Sequence, residues 1–221
     1  MFVQSKIILA SNSPRRKELI SLTGWICSTS PADIDETPWS CEAPEDYVTR
    51  LAKEKAAACN REGLKLILAA DTIVVDANQI MGKPLNEEES RRMLLQLRGH
   101  THQVMTAVVL FDPFSGRLEE ELCLTHVPMR NYSDEEIGTY IATGDPLDKA
   151  GAYAIQHSGF HPVVNFHGCF ASVMGLPLCH VKRMAKCFET SVADSLVAEC
   201  QRTNQYTCSI FQQVADGAEI G

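Results

Sequence analysis

The sequence predicts an α/β protein built on a mixed central sheet. Short apolar runs, typical of buried strands, alternate with segments whose apolar residues recur at helical spacing. Two long strand-like runs over 101–111 and 118–127 flank a turn over 113–116, which indicates an antiparallel hairpin. Strands and helices do not alternate strictly as βαβ units, so we do not expect a purely parallel sheet. With 221 residues and 45% apolar content, the chain can bury a sizeable core.

The chain opens with a strand, a tight turn and a helix. The apolar run over 6–10 ends in turn-forming residues, as a buried strand does. A helix is predicted over 15–23, because Ser13 suits its N-cap and Pro14 its first turn. Gly24 follows where a helix commonly ends.

An acidic loop and a second helix precede the central strand. Residues 31–44 are acidic and rich in turn formers, which predicts a surface loop, and residues 45–60 predict a helix. The run over 64–75 is almost continuously apolar and predicts a buried strand, interrupted at Asp71 and Thr72. We therefore expect Asp71 at a strand end.

The later elements follow from caps and periodicity. They are a helix over 86–97, the hairpin above, a helix over 133–143, short strands near 152–156 and 163–166, and a core helix from 170 or 173 to 188. Residues 190–221 predict a weakly amphipathic C-terminal extension of unknown role.

Charge and cysteine usage exclude several classes of function. The net charge of −8 argues against a protein that grips a nucleic-acid polymer by its phosphates. No apolar run is long enough to span a bilayer and no secretory signal is recognisable, so we expect no membrane partner and a cytoplasmic location. Nine cysteines without a CxxC pair predict reduced thiols, and the scattered histidines predict no zinc site.

The turn before the first helix is a candidate anion site. Ser11 and Ser13 precede a helix N-terminus, whose unpaired N–H groups attract phosphate. Arg15 and Arg16 in the first turn oppose the helix dipole, unless an anion is bound there. A capped surface helix with solvated arginines is the alternative interpretation.

Two carboxylates outside this turn are candidates for a metal site or a general base. Asp71 within an apolar strand is costly to bury unless it is paired, hydrogen-bonded or bound to a metal such as Mg²⁺. Glu36 in the acidic loop could supply a second metal carboxylate. A structural ion pair for Asp71 and simple solvation for Glu36 stay open.

Three further polar residues lie in well-defined local settings. Lys83 lies between a glycine and a proline, and Lys55 lies on the second predicted helix. Gln156 follows the tightly punctuated segment 144–153, and its amide could bind a base edge. Surface lysines and a polar strand end are the plainer alternatives.

Several of these stretches, in this order, resemble the Maf proteins, a family of nucleotide pyrophosphatases. The matching stretches are 9–19, 50–56, 70–74, 82–84, 99–107, 144–153 and 173–178. The resemblance implies an elongated fold of the Maf/inosine-triphosphatase type, with a cleft between two lobes of a single domain over 1–189. It also implies hydrolysis of a nucleoside triphosphate to monophosphate and pyrophosphate with a divalent cation, Mg²⁺ or Mn²⁺, and leaves a homodimer open.

The resemblance also implies roles for individual residues. It makes Asp71 the proton acceptor and a metal ligand with Glu36, and it places Arg16, Lys55 and Lys83 around the phosphates. Arg15, Thr72 and Gln156 match the branch associated with dTTP and UTP, which we therefore expect as substrates, together with modified pyrimidine nucleotides. The segment 35–38 looks more like the 7-methyl-GTP branch, which is one alternative. A non-catalytic nucleotide-binding regulator of cell division is the other.

Overall fold

Six strands form one mixed sheet, as predicted, in the order β2-β1-β3-β5-β6, with β4 paired to β3. The computed structural model describes residues 5–59, 66–218 and 220–221. The strands are β1 (Lys6–Leu9), β2 (Ile26–Thr29), β3 (Leu66–Asp76), β4 (Gln79–Met81), β5 (Thr101–Phe111) and β6 (Leu118–Pro128). Strand β1 runs parallel to β2 and β3, whereas β3, β5 and β6 are antiparallel.

Eight helices surround this sheet within the described residues. They are α1 (Pro14–Ser21), α2 (Pro44–Ala58), α3 (Glu87–Leu97), α4 (Asp134–Ile141), α5 (Phe170–Val173), α6 (Leu178–Cys187), α7 (Leu196–Asn204) and α8 (Phe211–Ala215). The predicted caps are confirmed where they were clearest. Ser13 accepts a hydrogen bond from the Arg16 amide, and Ser133 and Glu136 form a reciprocal capping box at α4. None of the helices in the described ranges is long and apolar enough to cross a membrane.

Apolar side chains fill three clusters, one on each face of the sheet and one beyond its end. Alternation along β3 sends Leu68 toward the cluster beneath α1 and α6, and Ile67 toward the cluster beneath α2. The third cluster joins the far ends of β3, β5 and β6 to α3 and α4. The open cleft described below lies between this third cluster and the start of α1.

The central strand is continuous where an interruption was predicted. Strand β3 continues through Asp71 and Thr72, whose cross-strand partners on β5 are Ala107 and Thr106. Asp71 therefore lies in mid-strand, and the prediction of a strand end was wrong. Pairing of its carboxylate with Lys55 removes the reason for the strand to stop there. Strands β2 and β4 were not predicted, because β2 is largely exposed and β4 has only three residues.

The short strands predicted near 152–156 and 163–166 are also wrong. The first segment begins at the last residue of a 3-10 turn, Ala152, whose φ of +61° is not a strand conformation. In the second, Val163 makes only an isolated bridge to Met129.

The predicted core helix over 170–188 is divided into α5 and α6. The chain reverses at Gly175, whose φ of +109° lies in the region that favours glycine. Pro177 then precedes the first residue of α6. The break places a tight loop where a continuous helix was expected, and this loop reaches the cleft.

The C-terminal extension packs into the body of the protein. The Trp25 indole donates to the carbonyl oxygen of Ser191 at 2.9 Å, and Leu196 is fully buried in the core cluster beneath α6. Near the end of the chain, the His180 ring lies 3.1 Å from the Ile220 carbonyl oxygen. No disulfide joins any of the nine cysteines, all of which lie in the described ranges.

We predict that Leu196→Ala lowers the free energy of unfolding by about 2–4 kcal/mol, because it leaves a cavity beside the core. Leu85→Ala is the matched control: Leu85 is 89% exposed, and its truncation should change stability by less than about 0.5 kcal/mol. Urea denaturation measures both variants. Equal stabilities for the two would mean that the extension is merely appended.

Candidate active site

A cleft of about 960 Å³ opens between the turn that follows β1, the middle of β3 and the segment around residue 150. All ten residues predicted for the site line this cleft. They are Ser11, Ser13, Arg15, Arg16, Glu36, Lys55, Asp71, Thr72, Lys83 and Gln156. The fold therefore brings together residues that are up to 145 positions apart in the sequence.

The N-terminus of α1 faces the cleft with its polar groups already ordered. The Ser11 hydroxyl accepts from the Ser13 amide at 3.1 Å, which holds the turn in shape. No acidic side chain lies in the first turn of α1 to offset the positive end of its dipole. The turn and the helix N-terminus are thus arranged as the predicted anion site requires, and anion binding there stays a prediction.

Arg16 is held by three separate parts of the chain. Its Nε donates to the Gly175 carbonyl at 2.9 Å, Nη1 to the Ser11 hydroxyl at 3.3 Å and Nη2 to the Thr72 hydroxyl at 3.1 Å. Since a guanidinium has five N–H groups, two remain for a ligand. Desolvation lowers the pKa of Arg16 and the Asp71 carboxylate opposes that shift, so the group stays charged at neutral pH.

Lys55 joins the two predicted metal carboxylates. Its ammonium Nζ lies 2.5 Å from Asp71 Oδ1 and 2.7 Å from Glu36 Oε1. The Lys55 and Asp71 side chains are each only 12% exposed, whereas Glu36 is 57% exposed. The structural ion pair considered for Asp71 therefore exists, and it lies inside the cleft.

Helix α2 also fixes the loop that carries Glu36. The Tyr47 hydroxyl donates to the Glu36 carbonyl at 2.7 Å, and Arg50 donates to the Thr37 carbonyl at 3.2 Å. Burial, followed by the Asp71 and Glu36 charges, raises the pKa of Tyr47, so its hydroxyl remains a donor. Sequence reasoning assigned no role to Tyr47.

The opposite wall of the cleft, around Gly151, is joined to the Lys83 loop by a backbone hydrogen bond. The Gly151 amide donates to the Gly82 carbonyl at 3.1 Å, next to the exposed Lys83. A Cβ at Gly151 would lie 3.0 Å from a Val74 methyl, so the approach requires glycine. Lys149 on this wall is neutralised by Asp145 and by the neighbouring Asp148.

Gln156 follows a buried aromatic anchor. Tyr153 lies at the cleft wall, and its hydroxyl is 2.8 Å from His102 Nε2. Burial lowers the pKa of His102 to about 4, so this ring is neutral at physiological pH. The pair fixes the backbone three residues before Gln156.

The two carboxylates in the cleft suit a metal cation that is also bound by substrate phosphates. The described residues contain no cluster of three or more His, Cys, Asp or Glu side chains that would hold a metal alone. Mg²⁺, however, typically binds one or two carboxylates together with substrate phosphates and water. Glu36 and Asp71, brought together by Lys55, fit that requirement.

The family model and the curated relatives point to the same family. Residues 6–188 match the family model described as Maf, Maf-like protein. The dTTP/UTP pyrophosphatase of Geobacter sulfurreducens is 44% identical over 180 residues, which cover 80% of this chain and 94% of that protein. That of Citrifermentans bemidjiense is 46% identical over 179 residues, covering 80% and 92%. A dITP/XTP pyrophosphatase structure from Mycobacterium abscessus aligns with 83% of this chain and 94% of its own at 17% identity and a TM-score of 0.41.

We predict that Gly175→Ala weakens the binding of inorganic tripolyphosphate at least tenfold. A Cβ at Gly175 would lie 3.2 Å from Arg16 Nε and 3.3 Å from Thr72 Oγ1, so Arg16 must move. Gly217→Ala is the control, since Gly217 has a similar φ of +105° but no atom within 4 Å of the added carbon. Calorimetry should show wild-type affinity for the control, and equal affinity in both variants would contradict the role given to Arg16.

Proposed function

The chain belongs to the Maf family, and we propose that it hydrolyses dTTP and UTP to the nucleoside monophosphate and pyrophosphate. The curated relatives named above carry this activity in their names and share over 40% of their residues with this chain. The observation that carries the proposal is the convergence of Asp71, Lys55 and Arg16 in one cleft. A carboxylate that can act as a base, beside cations that offset phosphate charge, suits the hydrolysis of a phosphoanhydride.

Charge neutralisation is the first task of this site. A nucleoside triphosphate is strongly anionic, and its transition state spreads further negative charge over the phosphate oxygens. Arg16 has two N–H groups to offer, and Lys83 lies on the opposite wall. The α1 N-terminus, with Ser11 and Ser13, adds oriented backbone donors. These groups position the triphosphate and stabilise the charge on pyrophosphate as it leaves.

Asp71 is the proposed proton acceptor. Water must attack the α-phosphorus in line with the departing pyrophosphate, and its proton must be taken up by a base. Lys55 contacts Asp71 through Oδ1, which leaves Oδ2 to accept that proton. Lys55 also keeps the carboxylate in place on β3.

Glu36 and Asp71 are the residues that would hold a divalent cation, Mg²⁺ or Mn²⁺. When bound, the cation supplies additional neutralisation of phosphate charge. Tyr47 fixes the backbone of the Glu36 loop, so the second carboxylate stays close to the first.

Arg15, Thr72 and Gln156 are proposed to select the base. The amide of Gln156 offers a donor and an acceptor, which suits the O4 and N3–H edge that thymine and uracil share. The cleft is of a size that accepts a nucleotide. We also propose a cytoplasmic location, where nucleoside triphosphates are found, and leave a homodimer as an untested prediction.

We predict that Asp71→Asn lowers the rate of pyrophosphate release at least about 100-fold while the protein stays folded, because the base and one metal ligand are lost. Asp76→Asn is the matched control on the same strand: Asp76 bonds Gln96 and His100, and it does not line the cleft. Steady-state assays with UTP, together with circular dichroism, compare the two variants. A wild-type rate for Asp71→Asn would exclude Asp71 as the base.

We predict that dTTP and UTP are hydrolysed with higher kcat/KM than 7-methyl-GTP, dATP or dGTP. An unpaired buried amide costs about 1–3 kcal/mol, which corresponds to at least about a tenfold preference. Gln156→Glu exchanges one donor for an acceptor and should lower dTTP turnover selectively. A preference of the wild type for 7-methyl-GTP would instead assign base selection to the loop over 35–38.

A further inference from the structure

Two threonine hydroxyls meet beneath the floor of the cleft. Thr72 on β3 and Thr106 on β5 are direct cross-strand partners, and their Oγ1 atoms lie 3.0 Å apart. Thr106 is fully buried, whereas Thr72 is partly exposed and lines the cleft. Thr106 thus reaches the site through its hydrogen bond with Thr72.

The direction of this hydrogen bond follows from counting protons. Thr106 Oγ1 also lies 2.8 Å from the Ser172 carbonyl oxygen, which can only accept. Because a hydroxyl carries one proton, Thr106 donates to Ser172 and must accept from Thr72. The only hydroxyl proton of Thr72 therefore points away from the cleft.

The capacity of Thr72 to accept further hydrogen bonds is also restricted. Its oxygen has two lone pairs, and one accepts from Arg16 Nη2 at 3.1 Å. One lone pair is left, so Thr72 presents an acceptor and no donor to a ligand. Helix α5 and the loop after it hold the two ends of this series of hydrogen bonds, since the Ser172 carbonyl in α5 accepts from Thr106 and the Gly175 carbonyl in the loop accepts from Arg16.

We propose that Thr106 is a positioning residue that makes Thr72 an obligate acceptor, and so selects bases that carry an N–H at the recognised edge. This inference rests on the proposed function and deepens it. Uracil and thymine have a proton on N3, which the Thr72 oxygen would share with the Gln156 carbonyl, whereas the N3 of cytosine is itself an acceptor. Two acceptors facing each other in a partly dry site are both left unpaired, which disfavours a cytosine nucleotide.

The test is the ratio of kcat/KM for UTP to that for CTP, measured by pyrophosphate release with Mg²⁺. The wild type should favour UTP at least tenfold. Thr106→Val removes the hydroxyl at nearly constant volume, which frees the Thr72 proton to turn toward the cleft, and the ratio should fall at least fivefold. Thr106→Ser keeps the proton chain and should keep the ratio.

Thr125→Val is the matched control for a buried threonine, because Thr125 lies on β6 and does not line the cleft. It should retain the wild-type UTP to CTP ratio. A purely structural role for Thr106 would lower both rates together in Thr106→Val and leave the ratio unchanged, and that result overturns the inference.

Two outcomes separate this inference from the proposed function. A wild type that hydrolyses UTP and CTP equally overturns the inference, whether or not Thr106→Val folds, and leaves the pyrophosphatase activity intact. A wild type that releases no pyrophosphate from any triphosphate overturns both.

Discussion

A carboxylate in the middle of the central strand is the constraint on which the site depends. Asp71 lies in a strand that is buried along most of its length, where an unpaired negative charge would be costly. The Lys55 ammonium offsets that cost at 2.5 Å, and the same ammonium binds Glu36. Helix α2, which carries Lys55, also holds the Glu36 loop through Tyr47. One helix therefore stabilises the charge on the sheet and brings the second carboxylate to it.

Helix α5 and the loop that follows it support the opposite side of the cleft, where Arg16 and Thr72 lie. The Gly175 carbonyl oxygen in this loop accepts from Arg16, and the Ser172 carbonyl oxygen in α5 accepts from Thr106, which lies behind Thr72. The proposed phosphate and base ends of the cleft are thus anchored to the same short backbone segment. Glycine at 175 lets the Arg16 and Thr72 side chains lie this close to the backbone, because a Cβ there would crowd both.

The sequence identified the residues that line the cleft, but it did not identify the residues that hold them in place. Ser13, Asp71 and Lys83 stand out locally as a cap, a charge in an apolar run and a lysine in a rigid turn, and all three line the cleft. Their catalytic and binding roles remain predictions. Thr106 and Gly175 carry no such local signal, because their partners lie 66 and 159 residues away. The strand was wrongly predicted to be interrupted at Asp71 for the same reason, since the compensating charge comes from Lys55 on another element.

The central claim is that this cleft directs water to the α-phosphorus of a pyrimidine nucleoside triphosphate. Hydrolysis of UTP in ¹⁸O-labelled water, followed by mass spectrometry of the products, tests it most directly. If water attacks the α-phosphorus, the label appears in UMP and pyrophosphate stays unlabelled. Label in pyrophosphate, or release of UDP with labelled inorganic phosphate, would contradict it.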